Sequence, residues 1–179
     1  MVDASAIGRR SRNRGATFER RIATDLRNWL GDEWDVRRTR TSDQRNREHG
    51  GEFAIVGPFR FPWAIECKSD KRFDLAQLWK DPVPSPIAST NKSIGWWGQA
   101  RVQAEGCNRL PLLVVKPPGQ AKVLAILRRE TARKLEVQNS YPSMRFELDT
   151  DTLDREDLVA VRWDALLQVD PCMLMGLGR

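Results

Sequence analysis

Apolar residues recur at three- and four-residue steps through Phe18, Ile22, Leu26, Trp29 and Leu30, the spacing of one helix face, and Gly31 supplies a stop. The pattern predicts an amphipathic helix beginning near Thr17. Further on the period shortens. "WDVRRTR" (34–40) alternates like a strand with Trp34, Val36 and Arg38 on one face, and "TSDQRNREHGG" is a polar loop closed by glycines. "EFAIV" and "FPWAIECK" read as two strands joined by "GPFR", where Gly57-Pro58 signals a turn, so a β-hairpin centred on Phe59 is expected. "FDLAQLW" has the look of one or two helical turns, and the prolines of "KDPVPSPIASTNKS" forbid regular structure. A helix follows in "IGWWGQARVQAEGCNR", then a buried strand in "PLLVVK", strands in "AKVLAIL" and "MRFEL", and a short helix in "WDALLQV". Helix, three strands, helix, strand and later β additions together predict an α/β fold: a mixed β-sheet flanked by helices, helix first, with extra C-terminal strands.

With 179 residues, 40% of them hydrophobic, the chain can bury one good core. Residues 15–179 are expected to form a single domain behind a basic, flexible arm, residues 1–14, which lacks any period. No apolar run reaches the roughly 18–20 residues of a membrane span, and no apolar stretch follows the N-terminal arginines as in a secretory leader, so a cytoplasmic protein is expected. Cys67, Cys107 and Cys172 are far apart and form no C-x-x-C pair, which argues against a disulfide framework or a structural zinc.

Charge narrows the choice of partner. The net charge is +6, with Arg9, Arg10, Arg12 and Arg14 crowding one stretch and Arg37, Arg38, Arg40, Arg45 and Arg47 another. Arginine outnumbers lysine in both, and a planar guanidinium suits phosphate oxygens, so DNA is the expected partner. The solitary His49 excludes sites built on paired histidines, and the solitary Tyr141 counts against a GIY-YIG nuclease.

The candidate chemistry lies in "AIECKS" (64–69). Alternation puts Ala64, Glu66 and Lys68 on one strand face, with Ile65 and Cys67 on the other. In the expected hairpin Glu52 stands opposite Glu66, about 5 Å between Cβ atoms, and two carboxylates so placed call for a cation. Hard oxygen ligands suit Mg²⁺, with Mn²⁺ as a substitute, and Lys68 on the same face can serve the attacking water.

Glu52 followed by Glu66-Cys67-Lys68 resembles the PD-(D/E)XK nuclease superfamily, and "RGATFERRIATDL", with Glu19 on the first helix, is similar to archaeal-type Holliday junction resolvases within it. The resemblance spans about residues 14 to 72, with "WWGQARVQA" and "PLLVVK" looking like the helix and fourth strand of related phage-type enzymes. It implies a restriction-endonuclease-like core and a metal-dependent endonuclease that cuts four-way junctions as a homodimer. A nuclease of duplex, flap or nicked DNA is the alternative, and a non-catalytic DNA-binding module a further one. It also implies catalytic roles for Glu19, Glu52, Glu66 and Lys68, with Glu52 and Glu66 as metal ligands. The second-strand acid of such enzymes is usually aspartate, which keeps Asp43 as a rival to Glu52. Expected DNA contacts are Arg9, Arg10, Arg12, Arg14, Arg40, Ser42, Arg45, Arg47, Lys71, Arg72 and Gln99.

Overall fold

The first helix is longer than its apolar stripe. α1 runs Ala4–Leu30 in a computed structural model that describes residues 4–39, 50–69, 95–117, 121–136, 145–147 and 157–177, with backbone alone for 4–12, 145–147 and 157. Phe18, Ile22, Ala23, Leu26 and Leu30 are buried along one side. Gly31, at φ 81°, ends the helix with its N–H donating to the Arg27 carbonyl at 3.0 Å. Residues 4–14, expected as part of a flexible arm, are helical. Proline is missing from that stretch, alanine and arginine are strong helix formers, and an existing helix propagates more easily than it nucleates. The absent apolar period removes a signal for helix without removing the propensity for it.

β1 (Asp35–Arg38) pairs antiparallel with β2 (Phe53–Val56), Val36 opposite Ile55 and Arg38 opposite Phe53. The main sheet holds β3 (Trp63–Lys68), β4 (Leu110–Val115), β5 (Leu124–Arg128), β6 (Arg145–Glu147) and β7 (Asp157–Arg162) in the order β3-β4-β5-β7-β6. β3 and β4 run parallel, and the other neighbours are antiparallel, so the sheet is mixed as expected. α2 (Trp96–Gly106) lies between the parallel strands β3 and β4 in sequence, where a crossover connection is required.

The hairpin between residues 52–56 and 61–68 does not form, since β2 turns back onto β1. Pro58 and Pro62 bracket the connection and cannot donate to a ladder, and the Pro62 carbonyl is taken by the Leu110 N–H at 2.8 Å. Gly57 lies against Trp34, whose ring leaves no room for a Cβ, only 2.2 Å away. Trp34 in turn meets Phe59 and Phe61 edge-on, at 4.7 and 5.9 Å between ring centres.

Alternation along the strands divides the interior in two. Ile65 and Cys67 of β3, Leu112 and Val114 of β4, Ala125 and Leu127 of β5, and Val159 and Val161 of β7 join the α1 side chains in the larger core. Leu113, Val115, Ile126 and Leu158 point the other way, against Trp97 and Ala100 of α2. The sheet is therefore covered on both faces, which is compatible with the restriction-endonuclease-like core expected. Three elements were not anticipated: β7, α3 (Arg129–Lys134) and a 3-10 helix at Pro171–Gly176. The short helix expected in "WDALLQV" is α4 (Trp163–Leu166).

Candidate active site

From Trp63 to Cys67 every residue of β3 is buried, and one of them is a glutamate. Glu66 is 1% exposed, a placement that costs free energy unless the charge is compensated. Lys68, two residues on along the same face, supplies part of the compensation: its Nζ lies 2.5 Å from Glu66 Oε1. Glu66 Oε2 is buried with no hydrogen-bond partner among the described residues.

Glu52 reaches the same place by backbone geometry. Its N–H donates to the Ile65 carbonyl at 2.8 Å, and its own carbonyl accepts from the Thr39 N–H at 2.9 Å, so the residue is tied to β3 and to the end of β1 together. Thr39 Oγ1 adds a bond to the Gly51 carbonyl at 3.0 Å. Such closeness depends on Gly51, at φ 75°, where a Cβ would come within 2.5 Å of the Ile65 carbonyl oxygen. Gly50, at φ 53°, is constrained by side chains, the Cys107 Sγ lying 2.2 Å from where a Cβ would stand.

The electrostatics show which groups converge. The Glu52 carboxyl is pushed up to about 7, by burial first and then by Glu66 and Glu19, with Lys68 and Arg38 pulling the other way. Glu19 comes from α1 and forms an ion pair with Arg38 of β1. The Cys67 thiol, on the opposite strand face, is pushed well up by burial and by the same three carboxylates, so it stays protonated and unreactive. The charges of Glu19, Glu66, Lys68 and Arg38, from α1, β3 and β1, thus all act on Glu52 at the entry to β2.

Among the described residues no group of three or more His, Cys, Asp or Glu stands ready to hold a metal ion by itself. The donor set nonetheless fits a hard divalent cation. Burial and the repulsion between carboxylates keep one of them protonated up to about pH 7, one buried oxygen lacks a partner, and Mg²⁺ completes its shell with waters and phosphate oxygens.

Of the other anticipated residues, Gln99 is partly buried on α2, Arg14 is exposed on α1, and Arg9, Arg10 and Arg12 lie in the helical backbone of α1. Arg40, Ser42, Asp43, Arg45, Arg47, Lys71 and Arg72 lie outside the described residues. Sequence reasoning placed Arg38 in a basic cluster and missed its pairing with Glu19. A signal existed in the excess of acids over bases among Glu19, Glu52, Glu66 and Lys68, which asks for a second cation. The Gly50-Gly51 pair, which closes a loop in the sequence pattern, is what admits Glu52 to β3.

Residues 10–176 match a family model described as "Phage putative PDDEXK endonuclease". No curated protein and no solved structure matches the chain. Among the described residues no helix is long and apolar enough to cross a membrane.

Proposed function

Because the chain belongs to the family of phage PDDEXK endonucleases, we propose that it is a Mg²⁺-dependent DNA endonuclease centred on Glu52, Glu66 and Lys68, with the four-way junction as its substrate. The observation that carries the site is Glu66: a buried carboxylate with one oxygen on Lys68 and the other unmatched, whose charge helps push the Glu52 carboxyl up to about 7. Glu52 and Glu66 would hold the cation, Mn²⁺ serving in place of Mg²⁺. When bound, it supplies Lewis-acid activation of the scissile phosphate and of the attacking water.

The chain's own groups do the rest. Lys68 has three donors and uses one on Glu66, leaving others to orient the water or steady charge on the phosphate. Sheet packing on both faces holds Glu66 within its strand, and the Gly50-Gly51 approach fixes Glu52 against Ile65. Such preorganisation is what phosphoryl chemistry needs, since most of the work is positioning and charge stabilisation.

Support for a junction substrate comes from the likeness of "RGATFERRIATDL" to junction resolvases, while the net charge of +6 supports DNA of any form. Two symmetric cuts require two sites, which a homodimer provides. The test is a panel of labelled four-way, flap, nicked, duplex and single-stranded DNAs with Mg²⁺ or with EDTA. Paired nicks symmetric about the branch, lost in EDTA, are expected. Equal attack on linear duplex would transfer the function to general DNA cleavage with the same site, and binding without cleavage in any metal would leave only a DNA-binding module.

A further inference from the structure

The carboxylate of Glu19 is occupied. It accepts from a terminal nitrogen of Arg38, and the two side chains come from α1 and β1, elements joined by no other ion pair among the described residues. Burial differs across the pair: the Glu19 side chain is 16% exposed and that of Arg38 36%. The acid sits inward and the guanidinium outward, at the rim of the Glu52 and Glu66 site, close enough for both to act on the Glu52 carboxyl. A guanidinium is a planar fork of five N–H donors, and the contact with Glu19 uses one terminal nitrogen. Arg38 is anchored further by its strand, where it stands opposite Phe53, the residue after Glu52. The outcome is a rigidly mounted cation beside the reaction centre with donors still to offer.

We propose that Arg38 binds a non-bridging oxygen of the substrate phosphate and that Glu19 is a positioning residue that aims its guanidinium, in place of a ligand to the metal. The inference rests on the nuclease reading above. The distribution of charge agrees with it. Glu66 has Lys68 and Glu19 has Arg38, so each cation has an acid that holds it in place until a phosphate brings new negative charge. The phosphate can draw on the unused donors of Arg38 without breaking the contact to Glu19, because a fork serves two acceptors together.

The experiment measures Mn²⁺ affinity by calorimetry on the metal-free protein, and KM, kcat and salt dependence on DNA, for wild type and four variants. Arg38→Ala is expected to raise KM about tenfold or more, as for removal of a charged hydrogen bond, and to lower the salt slope by about 0.9. Its Mn²⁺ affinity should stay level or rise, since a cation has left the neighbourhood. Arg38→Lys, which keeps the charge and loses the fork, should raise KM by less and keep the wild-type salt slope. Glu19→Ala should raise KM like Arg38→Ala, whereas Glu19→Gln, which retains an oxygen for Arg38, should raise it less and leave Mn²⁺ affinity within about twofold. A merely structural pair would weaken metal and DNA binding together. Thermal melts establish that each variant is folded, and Arg38→Lys decides the matter if Arg38→Ala is not. Tenfold weaker Mn²⁺ binding by Glu19→Gln, or an unchanged KM in Arg38→Ala and Arg38→Lys with an unchanged salt slope in Arg38→Ala, would overturn the inference. Wild type that binds no Mn²⁺ and cuts no DNA would instead overturn the nuclease reading beneath it.

Discussion

Glu52 has its carboxyl pushed from an ordinary value of 4.5 up to about 7, by burial and then by Glu66 and Glu19. Between those values the folded protein keeps a proton that the unfolded chain has released. The group's contribution to stability is therefore full below pH 4.5 and lost as pH rises to about 7. For the metal-free protein we expect a decline across that window of about 3 kcal/mol, at 1.36 kcal/mol per pKa unit. Denaturant melts in EDTA should show it in wild type and not in Glu52→Gln, and an equal decline in both would place its origin elsewhere. Protons and cation compete for this carboxylate, so half-saturation by Mg²⁺ should need about tenfold more metal per pH unit below 7. At this scale the sequence was informative where side chains alternate along one strand: Glu66 and Lys68 share a face because residues two apart must. Arg38 and Glu19 meet through the packing of α1 on β1, and no local period announces such a contact.

Among the elements, the entry to β2 carries the most consequence for the fewest atoms. Gly51 combines a left-handed φ of 75° with a position where a Cβ would meet the Ile65 carbonyl oxygen at 2.5 Å, Ile65 N at 2.8 Å and Ile65 C at 3.0 Å. Gly51→Ala must therefore push the chain off β3 and take Glu52 with it. We expect a loss of roughly 1–3 kcal/mol in stability together with loss of cleavage, read by thermal melts and nicking assays on one preparation. Full activity in that variant would show that the placement of Glu52 does not depend on this approach. Strand pairing is decided at the same scale. Neighbouring strands joined by a Gly-Pro turn suggested a hairpin, but Pro62 and the aromatic group around Trp34 send β2 onto β1 instead. Glu52 still arrives at β3, through an isolated parallel bridge between Gly51 and Ile65 that includes the bond from its own N–H to the Ile65 carbonyl. α1 from Phe18 onward is legible in its three- and four-residue spacing, and β4 as a short continuous apolar run, buried on both faces of the sheet. β7, "DLVAVR", follows the acidic run "DTDTLDRED", and its place between β5 and β6 is a long-range pairing. Within α1, Leu26→Ala should cost about 2–5 kcal/mol, because the side chain is fully buried in the larger core. A loss below about 1 kcal/mol in urea melts would mean the core closes over the gap.

For the whole molecule, charge and shape bear on the same partner. The chain carries +6, and α1 continues N-terminal to Glu19 as helix instead of loose chain. A preformed helix bearing Arg9, Arg10, Arg12 and Arg14 has little backbone entropy left to lose on binding DNA, unlike the arm the sequence suggested. Deleting residues 1–13 should weaken DNA binding and flatten its dependence on log salt by about 0.9 for every duplex phosphate that those residues neutralise. An unchanged slope would show that this end of α1 touches no phosphate. Everything proposed for the site stands or falls on Glu66, and single-turnover cleavage of the best substrate in the DNA panel tests it most directly, comparing wild type with Glu66→Gln across a Mg²⁺ titration and in EDTA. A metal held by Glu66 predicts a saturable Mg²⁺ dependence in wild type, no cleavage in EDTA, and a rate in Glu66→Gln reduced about a thousandfold or more, while DNA binding without metal stays within a few-fold. Wild-type rates in Glu66→Gln, or cleavage that persists in EDTA, would contradict it.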